Sequence, residues 1–199
     1  MQRFLNAARE IIAEKKSTEF TVQEVVDRSK QSLRSFYQYF DGKHELLLAL
    51  FEEEMDTAVR RLRAATAEGD PLDRLEQAVL LLYELCSPGR MSVQPLFSDF
   101  ALRLAVDHPE ELALAYAPQV DYLASIVEDA AALGLLRPGR ARRFAAIVLQ
   151  TATVTAGRAP GGRHPITGTE VWEFCLHAIA PDEIVAARRE AQAAKAAVG

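Results

Sequence analysis

Apolar side chains recur at intervals of three and four residues along most of the chain, which is the spacing of helices that bury one face. Glycine and proline interrupt this pattern, and no segment shows the apolar-polar alternation of a β-strand. The pattern predicts nine helices, followed by an alanine-rich tail at 182–198 that we expect to form a weakly docked helix. We therefore expect an all-α protein.

Capping residues mark several of the predicted helix starts. Thr21 precedes Glu24 by three residues and Thr167 precedes Glu170 in the same way, so each pair is predicted to form a capping box. Asp70, followed by a proline, predicts a further start, since proline is favoured at the first position of a helix.

The first of these capped helices belongs to a helix-turn-helix. It begins after Thr21 and ends near Ser29, a tight turn follows, and the next helix begins near Ser32 and reaches Tyr39. In this motif the second helix enters the major groove and its N-terminal residues meet base edges. Those residues are Ser32, Leu33, Arg34 and Ser35, of which the arginine suits guanine and the leucine a thymine methyl group.

The residue types in and after this motif follow a fixed order. They read as a Thr-opened helix, a short turn, Ser-x-x-Ser-Phe-Tyr-x-Tyr-Phe, and then x-x-Lys-x-x-Leu-Leu, ending at Leu47. In this order the segment resembles the DNA-binding region of the TetR family of transcriptional regulators, and the resemblance covers roughly residues 4–51. Two positions depart from the family pattern: Lys30-Gln31 replaces a favoured Gly-Val, and Lys16-Ser17 stands where a glycine is common.

The resemblance implies roles for individual residues. Tyr37 and Tyr39 are expected to reach phosphates, and Phe36 and Phe40 are expected to pack inward on the first helix. Lys43 is expected to hold a phosphate together with the free N–H groups at the start of its helix. The residues that we expect to contact DNA are Thr21, Gln23, Ser32, Leu33, Arg34, Ser35, Tyr37, Tyr39 and Lys43.

A larger second domain is expected after the motif. We predict a helix-turn-helix domain over residues 1–45 and a helical effector-binding and dimerisation domain over residues 46–199. The eighth helix, which ends near Ala156, is almost entirely apolar or small, so it is either a buried core helix or, with the ninth helix, a two-fold dimer interface. The residues assigned to that interface are Ile147, Val148, Thr151, Thr155 and Trp172.

The resemblance further implies a small-molecule effector. The fifth to seventh helices carry many large apolar residues, and Pro118 is expected to bend or split the seventh helix beside a cavity. The residues proposed to line the cavity are Leu62, Phe97, Phe100, Leu104, Tyr116, Tyr122, Ile126 and Thr151. We expect a homodimeric repressor that a hydrophobic or amphipathic ligand releases from double-stranded operator DNA.

Charge and composition agree with this interpretation but do not establish it. The net charge is −5, yet the first fifty residues hold eight basic and seven acidic side chains. No catalytic motif, phosphate-binding loop, cofactor motif or local metal-ligand spacing is present, so neither an enzyme nor a metal site is expected. No apolar run reaches the ~18 residues of a membrane span, and we expect a cytoplasmic protein.

Two alternatives stay open at this point. One is a helical enzyme or carrier for a hydrophobic metabolite, which would not need Tyr37, Tyr39 and Lys43 exposed on one face. The other is an activator or architectural DNA-binding protein that has no ligand.

Overall fold

The computed structural model describes residues 1–87, 94–157 and 166–198. Within these ranges the chain forms ten α-helices and no strand, which confirms the predicted all-α fold. The helices are α1 (Gln2–Lys15), α2 (Val22–Ser29), α3 (Leu33–Phe36), α4 (Lys43–Ala65), α5 (Pro71–Cys86), α6 (Gln94–Asp107), α7 (Pro109–Ala132), α8 (Ala141–Gly157), α9 (Gly168–Ile179) and α10 (Asp182–Val198). None of the helices described is both long and apolar enough to cross a membrane.

The predicted capping residues form the expected hydrogen bonds. At α2 the Glu24 N–H donates to Thr21 Oγ1 at 3.2 Å, and the Thr21 N–H donates to the Glu24 carboxylate at 2.7 Å. Thr167 and Glu170 repeat this arrangement at α9, with distances of 3.2 and 2.8 Å. At α5 the carboxylate of Asp70 accepts from the backbone N–H two residues later at 2.9 Å. Polar groups that would otherwise be unsatisfied thus fix these three helix starts.

Two helices differ from expectation. α3 ends at Phe36, and the chain continues as a turn in which the Tyr39 N–H donates to the Phe36 carbonyl at 2.9 Å. The tighter three-residue spacing of that bond ends the α-helix before Tyr39. α7 runs without a break through Pro118, so the predicted split is wrong, while the alternative of a bend stays a prediction. Proline fixes a dihedral angle that is compatible with a helix, so the missing N–H donor alone does not end α7.

By packing, the chain forms two compact units. The first unit comprises Met1–Ala58 and Ser87–Pro118. Its core contains Phe4, Phe36 and Phe40, with ring centroids of the first two 5.4 Å apart and nearly perpendicular. Burying each such side chain contributes ~1.5–3 kcal/mol. The aromatic cluster therefore fixes α3 against α1, and with it the orientation of the helix-turn-helix.

The second unit comprises Val59–Cys86 and Gln119–Gly199. Within it α5 contacts both α8 and α9, and these two also contact each other. The C-terminal tail forms a helix as expected, and Arg188 on it pairs with Asp73 and, at 3.5 Å, with Glu76 of α5. The functional boundary at residues 45 and 46 stays a prediction, because it concerns activity and not packing.

Candidate nucleic-acid interface

The turn of the helix-turn-helix is built on a lysine in the left-handed conformation. Lys30 has φ 56°, and its N–H donates to the Asp27 carbonyl at 3.3 Å. The Gln31 N–H donates to the Val26 carbonyl at 3.4 Å, which closes the end of α2. These two bonds are the usual way in which a left-handed residue ends a helix, although glycine normally fills the position. The chain can therefore turn sharply from α2 into α3 despite its departure from the Gly-Val pattern.

The start of α3 is fixed by a hydrogen bond and presents two exposed side chains. The Ser35 N–H donates to Ser32 Oγ at 3.1 Å, so Ser32 is the N-cap. Leu33 and Arg34 follow it and are exposed. Among the residues that the structure describes, no carboxylate pairs with Arg34. Its guanidinium group is thus available to a base edge.

The four aromatic residues of this segment divide into two pairs. Phe36 and Phe40 are buried and lie 5.4 and 6.4 Å from the ring of Phe4, as the resemblance implies. Tyr37 and Tyr39 are 55% and 49% exposed. The buried pair anchors the segment while the tyrosines present their hydroxyl groups to solvent.

Lys43 lies at the first position of α4, near an acidic side chain. Its Nζ atom is 3.8 Å from Glu19 Oε2 and 5.0 Å from the centroid of the Phe20 ring. The other oxygen of Glu19 is 3.7 Å from the guanidinium group of Arg103. A phosphate at the start of α4 would compete with Glu19 for the lysine. Sequence spacing gave no sign of this network, because Arg103 is distant along the chain.

The remaining two predicted contact residues lie at the start of α2. Thr21 is exposed and belongs to the capping box, and the Gln23 amide donates to the Asp27 carboxylate at 2.7 Å. The hydrogen bond from Lys15, followed by the one from the Thr21 backbone, lowers the pKa of Glu24 to about 2. Glu24 therefore stays ionised at neutral pH and keeps the start of α2 fixed.

The residues proposed to line an effector cavity are found in both compact units. In the first unit Phe100 and Leu104 are buried in the core, and Tyr116 packs on Phe51 with ring centroids 5.7 Å apart. The side chain of Phe97 lies outside those that the structure describes. These side chains belong to a packed core, and Phe100 and Leu104 also line a surface pocket of about 220 Å³. The assignment of these residues to an effector cavity stays a prediction.

In the second unit the proposed residues include a buried polar pair. Leu62 and Ile126 are fully buried. The hydroxyl of Tyr122 lies 2.6 Å from Thr66 Oγ1, and Thr66, which directly follows α4, is itself buried. Thr151 Oγ1 donates to the Ile147 carbonyl at 2.8 Å, which occupies its hydroxyl within α8.

The residues assigned to the dimer interface point in different directions. Ile147 is 57% exposed, whereas Val148 and Trp172 are each only 1% exposed and are buried in the second unit. Adjacent residues of a helix point ~100° apart, so Ile147 and Val148 cannot both lie on one outer face. Val148 and Trp172 are therefore covered within the protomer itself, and Thr151 and Thr155 are half-buried on α8. The assignment of these four residues to a dimer interface stays a prediction.

Two further apolar residues, which the sequence analysis missed, are exposed on these helices. They are Val154 on α8 and Phe174 on α9, the latter 65% exposed. Val154 follows Ile147 by seven residues, a spacing that returns to the same helix face. The helical period of α9 offered a similar signal, because Phe174 is out of phase with the buried Trp172, Leu176 and Ile179.

Comparison with known proteins agrees with this geometry. Residues 4–50 match the family model described as bacterial regulatory proteins, tetR family. Comparison with curated protein sequences gave no match.

Solved structures match over most of the chain. The transcriptional regulator FadR from Bacillus subtilis, in complex with stearoyl-CoA, has a TM-score of 0.69 at 16% identity, covering 88% of this chain and 97% of that one. E. coli NemR in its reduced form has a TM-score of 0.64 at 18% identity, with coverage of 91% and 97%. AibR in complex with isovaleryl coenzyme A and operator DNA has a TM-score of 0.58 at 18% identity, with coverage of 88% and 95%. At these identities the likeness shows the fold.

A helix-turn-helix followed by a larger helical region is the architecture that the chain shares with these solved structures. The family model covers the helix-turn-helix itself, which confirms the resemblance to the DNA-binding region of the TetR family over residues 4–50.

Proposed function

We propose that the protein is a homodimeric repressor, and not an enzyme, that binds a pseudo-palindromic operator with one helix-turn-helix per half-site. The observation that carries this proposal is the arrangement at α3. Leu33 and Arg34 are exposed on α3, the helix that we propose to read the bases, and Tyr37 and Tyr39 are exposed just after it. The buried Phe36 and Phe40, on either side of the tyrosines, anchor the segment. A helical enzyme or carrier would have no use for this exposed set.

The dimer interface that we propose is the outer face of α8 and α9. Ile147, Val154 and Phe174 are large apolar residues exposed on two helices that contact each other. Exposed apolar clusters of this kind favour association, and a two-fold axis would place the same surface on both protomers. A two-fold dimer also supplies the two reading helices that half-sites about 34–36 Å apart require.

The effector that we propose is an acyl thioester or a similarly amphipathic molecule, bound in the second unit. Two of the similar structures contain stearoyl-CoA and isovaleryl coenzyme A. The second unit offers an apolar interior with a polar pair, Tyr122 and Thr66, and the indole N–H of Trp172 is buried without a partner among the residues described. An apolar site with few polar groups suits such a ligand, and an unpaired buried donor suits its carbonyl.

Repression would end when the ligand stabilises a conformation that does not bind DNA. Ligand and operator then oppose each other, and each lowers the affinity of the protein for the other by the same factor. A tenfold loss of operator affinity needs a preference of only about 1.4 kcal/mol for the non-binding conformation.

Selection of bound sequences from random duplex DNA tests operator binding. We expect enrichment of an inverted repeat whose two halves are separated by about one helical turn. Failure to enrich any sequence would contradict operator binding, and enrichment of a single half-site would contradict the dimeric arrangement.

Thermal denaturation with acyl-CoA esters of increasing chain length tests the ligand. We expect one chain-length class to raise the melting temperature and also to weaken binding to the selected operator. Free coenzyme A is the control, because it lacks the acyl chain. A compound that stabilises the protein but leaves operator affinity unchanged would contradict the coupling. If no ester stabilises the protein, the proposed ligand class is wrong.

A further inference from the structure

We propose that His44, His108 and Glu111 form a binding site for a divalent transition-metal ion of the zinc type. Each side chain offers a ligand atom, and these atoms all lie within 4.8 Å of one another. His44 Nε2 is 2.8 Å from one Glu111 oxygen, and His108 Nδ1 is 3.4 Å from the other. This site does not depend on the proposed effector or on DNA binding.

The three side chains come from rigid positions within the first compact unit. His44 lies in the first turn of α4, His108 directly precedes α7, and Glu111 lies in the first turn of α7. Pro109 restricts the backbone between them, since its ring fixes one dihedral angle. The two imidazole rings also contact each other, with centroids 4.5 Å apart. The three ligand atoms are therefore held close together by the backbone of this unit.

The distances are close to those that a small ion imposes. Metal–ligand bonds of ~2.0–2.2 Å in a tetrahedral zinc site place neighbouring ligand atoms ~3.3 Å apart. The two contacts made by Glu111, at 2.8 and 3.4 Å, lie on either side of that value. Two imidazoles and one carboxylate form a ligand set that zinc accepts, with one position left for water.

Water can reach the fourth position through a neighbouring pocket. This surface pocket has a volume of about 220 Å³, and its lining includes His44, His108 and Asp107. It is also lined by two cations, Lys43 and Arg103. Each lies within 4 Å of a Glu19 carboxylate oxygen, at 3.8 and 3.7 Å, so that Glu19 offsets their repulsion of a metal ion.

A bound ion would connect two helix starts that no covalent bond holds together. His44 follows Lys43, the predicted phosphate-binding residue, while His108 and Glu111 lie where α6 gives way to α7. The ion would therefore hold the start of α4 against the start of α7 within this unit. We expect metal binding to raise the melting temperature for this reason.

Calorimetric titration of the tag-free, chelator-treated full-length protein with zinc chloride tests the site. We expect one ion per chain, and His108→Gln and Glu111→Gln should each weaken zinc binding at least tenfold. Loss of a residue that only hydrogen-bonds to a metal ligand typically lowers metal affinity by about 10–100-fold, and loss of a ligand itself should cost no less. His177→Gln is the matched control. His177 is an exposed histidine of α9 whose Nδ1 atom lies 2.6 Å from the Glu173 carbonyl oxygen.

Two further measurements separate a metal site from a hydrogen-bonded cluster. Cobalt chloride added to the unaltered chain should give the visible absorption of a four-coordinate ion, and zinc should raise the melting temperature of the unaltered chain and of His177→Gln but not of Glu111→Gln. An unaltered chain that binds no zinc, or variants that bind it as tightly as the unaltered chain, would overturn the proposal. The three residues would then form only a carboxylate bridge between two imidazoles.

Discussion

The segment from α3 to Tyr39 and the α8–α9 surface expose large side chains to a similar degree but with different chemistry. Tyr37 and Tyr39 are 55% and 49% exposed, while Ile147 and Phe174 are 57% and 65% exposed. The tyrosines carry a hydroxyl group and lie on the motif that also presents Arg34. Ile147 and Phe174 carry no polar group at all.

This difference indicates the kind of partner each surface suits. A tyrosine can donate to a phosphate and remain partly hydrated, so a polar, salt-sensitive contact is sufficient. An exposed isoleucine or phenylalanine gains free energy only when another surface excludes water from it. The degree of exposure alone therefore does not distinguish a DNA-binding surface from a dimer interface. The presence or absence of a polar group on the exposed side chains does distinguish them.

A charge placed on the α8–α9 surface would test the comparison most strongly. We expect Ile147→Glu to weaken dimerisation by several kcal/mol, on the order of a hundredfold or more, because an unpaired carboxylate would be buried in the interface. Light scattering at several concentrations measures the change. The surface residue Leu133, which is also 65% exposed in the second unit, provides the control as Leu133→Glu. A folded Ile147→Glu protein that remains dimeric would place the interface elsewhere.

On the DNA-binding side, two substitutions should have different effects. Arg34→Ala should reduce discrimination at one base pair per half-site by about 1–3 kcal/mol, because its guanidinium group is free to contact a base edge. Lys43→Ala should weaken binding to every sequence and lower the dependence on salt by about one counterion per half-site.

Operator and random duplexes, each measured over a range of salt concentrations, separate these effects. Equal losses on both duplexes for Arg34→Ala would remove this residue as a base reader. A salt dependence that Lys43→Ala leaves unchanged would mean that Glu19 keeps the lysine from the phosphate.

Local signals in the sequence were enough to predict most of the fold. The capping residues Thr21, Asp70 and Thr167 act on backbone groups two or three positions away, so their effect can be inferred without knowing the tertiary structure. The alternation of buried and exposed aromatics from Phe36 to Phe40 was likewise available, because the family pattern fixes which face is buried.

Features that depend on distant residues could not be predicted in the same way. His44 and His108 were each judged by their neighbours in sequence, and only the packing of α4 beside the start of α7 brings them together. Val148 was assigned to the dimer interface because α8 is largely apolar or small, so its sequence does not reveal which side is covered within the protomer. The cavity residues stay a prediction for a related reason, since any large apolar residue suits a core as well as a pocket.

The two units also differ in the residues that occupy left-handed conformations. In the first unit these are Lys16 and Lys30, with φ 49° and 56°, whereas the second unit uses Gly69 and Gly134. A residue with a side chain is destabilised by ~1–2 kcal/mol in this conformation. Glycine avoids this strain, but it loses more conformational entropy on folding, which offsets part of the gain. We therefore expect Lys30→Gly to stabilise the protein by about 0.5–1 kcal/mol.

The matched substitution in the second unit should have the opposite sign. Gly134 has φ 71° and nothing within 4 Å of the position of a Cβ atom, so Gly134→Ala should destabilise the protein by about 1 kcal/mol through backbone strain alone. Denaturant unfolding measures both changes. If Lys30→Gly is destabilising, contacts of the lysine side chain outweigh the strain in its backbone.

The smallest effect concerns the two capping boxes, one in each unit. The pKa of Glu24 is lowered from its ordinary value of 4.5 to about 2, first by Lys15 and then by the Thr21 backbone, and the pKa of Glu170 is lowered by Thr167 alone. Because the folded pKa lies below the unfolded one, each carboxylate stabilises the fold fully above about pH 4.5, and this stabilisation is lost as the pH falls toward the folded value.

The melting temperatures of Glu24→Gln and Glu170→Gln should therefore be lower than that of the unaltered protein at pH 7, and both differences should shrink on acidification. The Glu24→Gln difference should be the larger and the more sensitive to salt, since a lysine contributes only there. A difference that stays constant from neutral to acidic pH would mean that the shape of the side chain, and not its charge, stabilises the start of the helix.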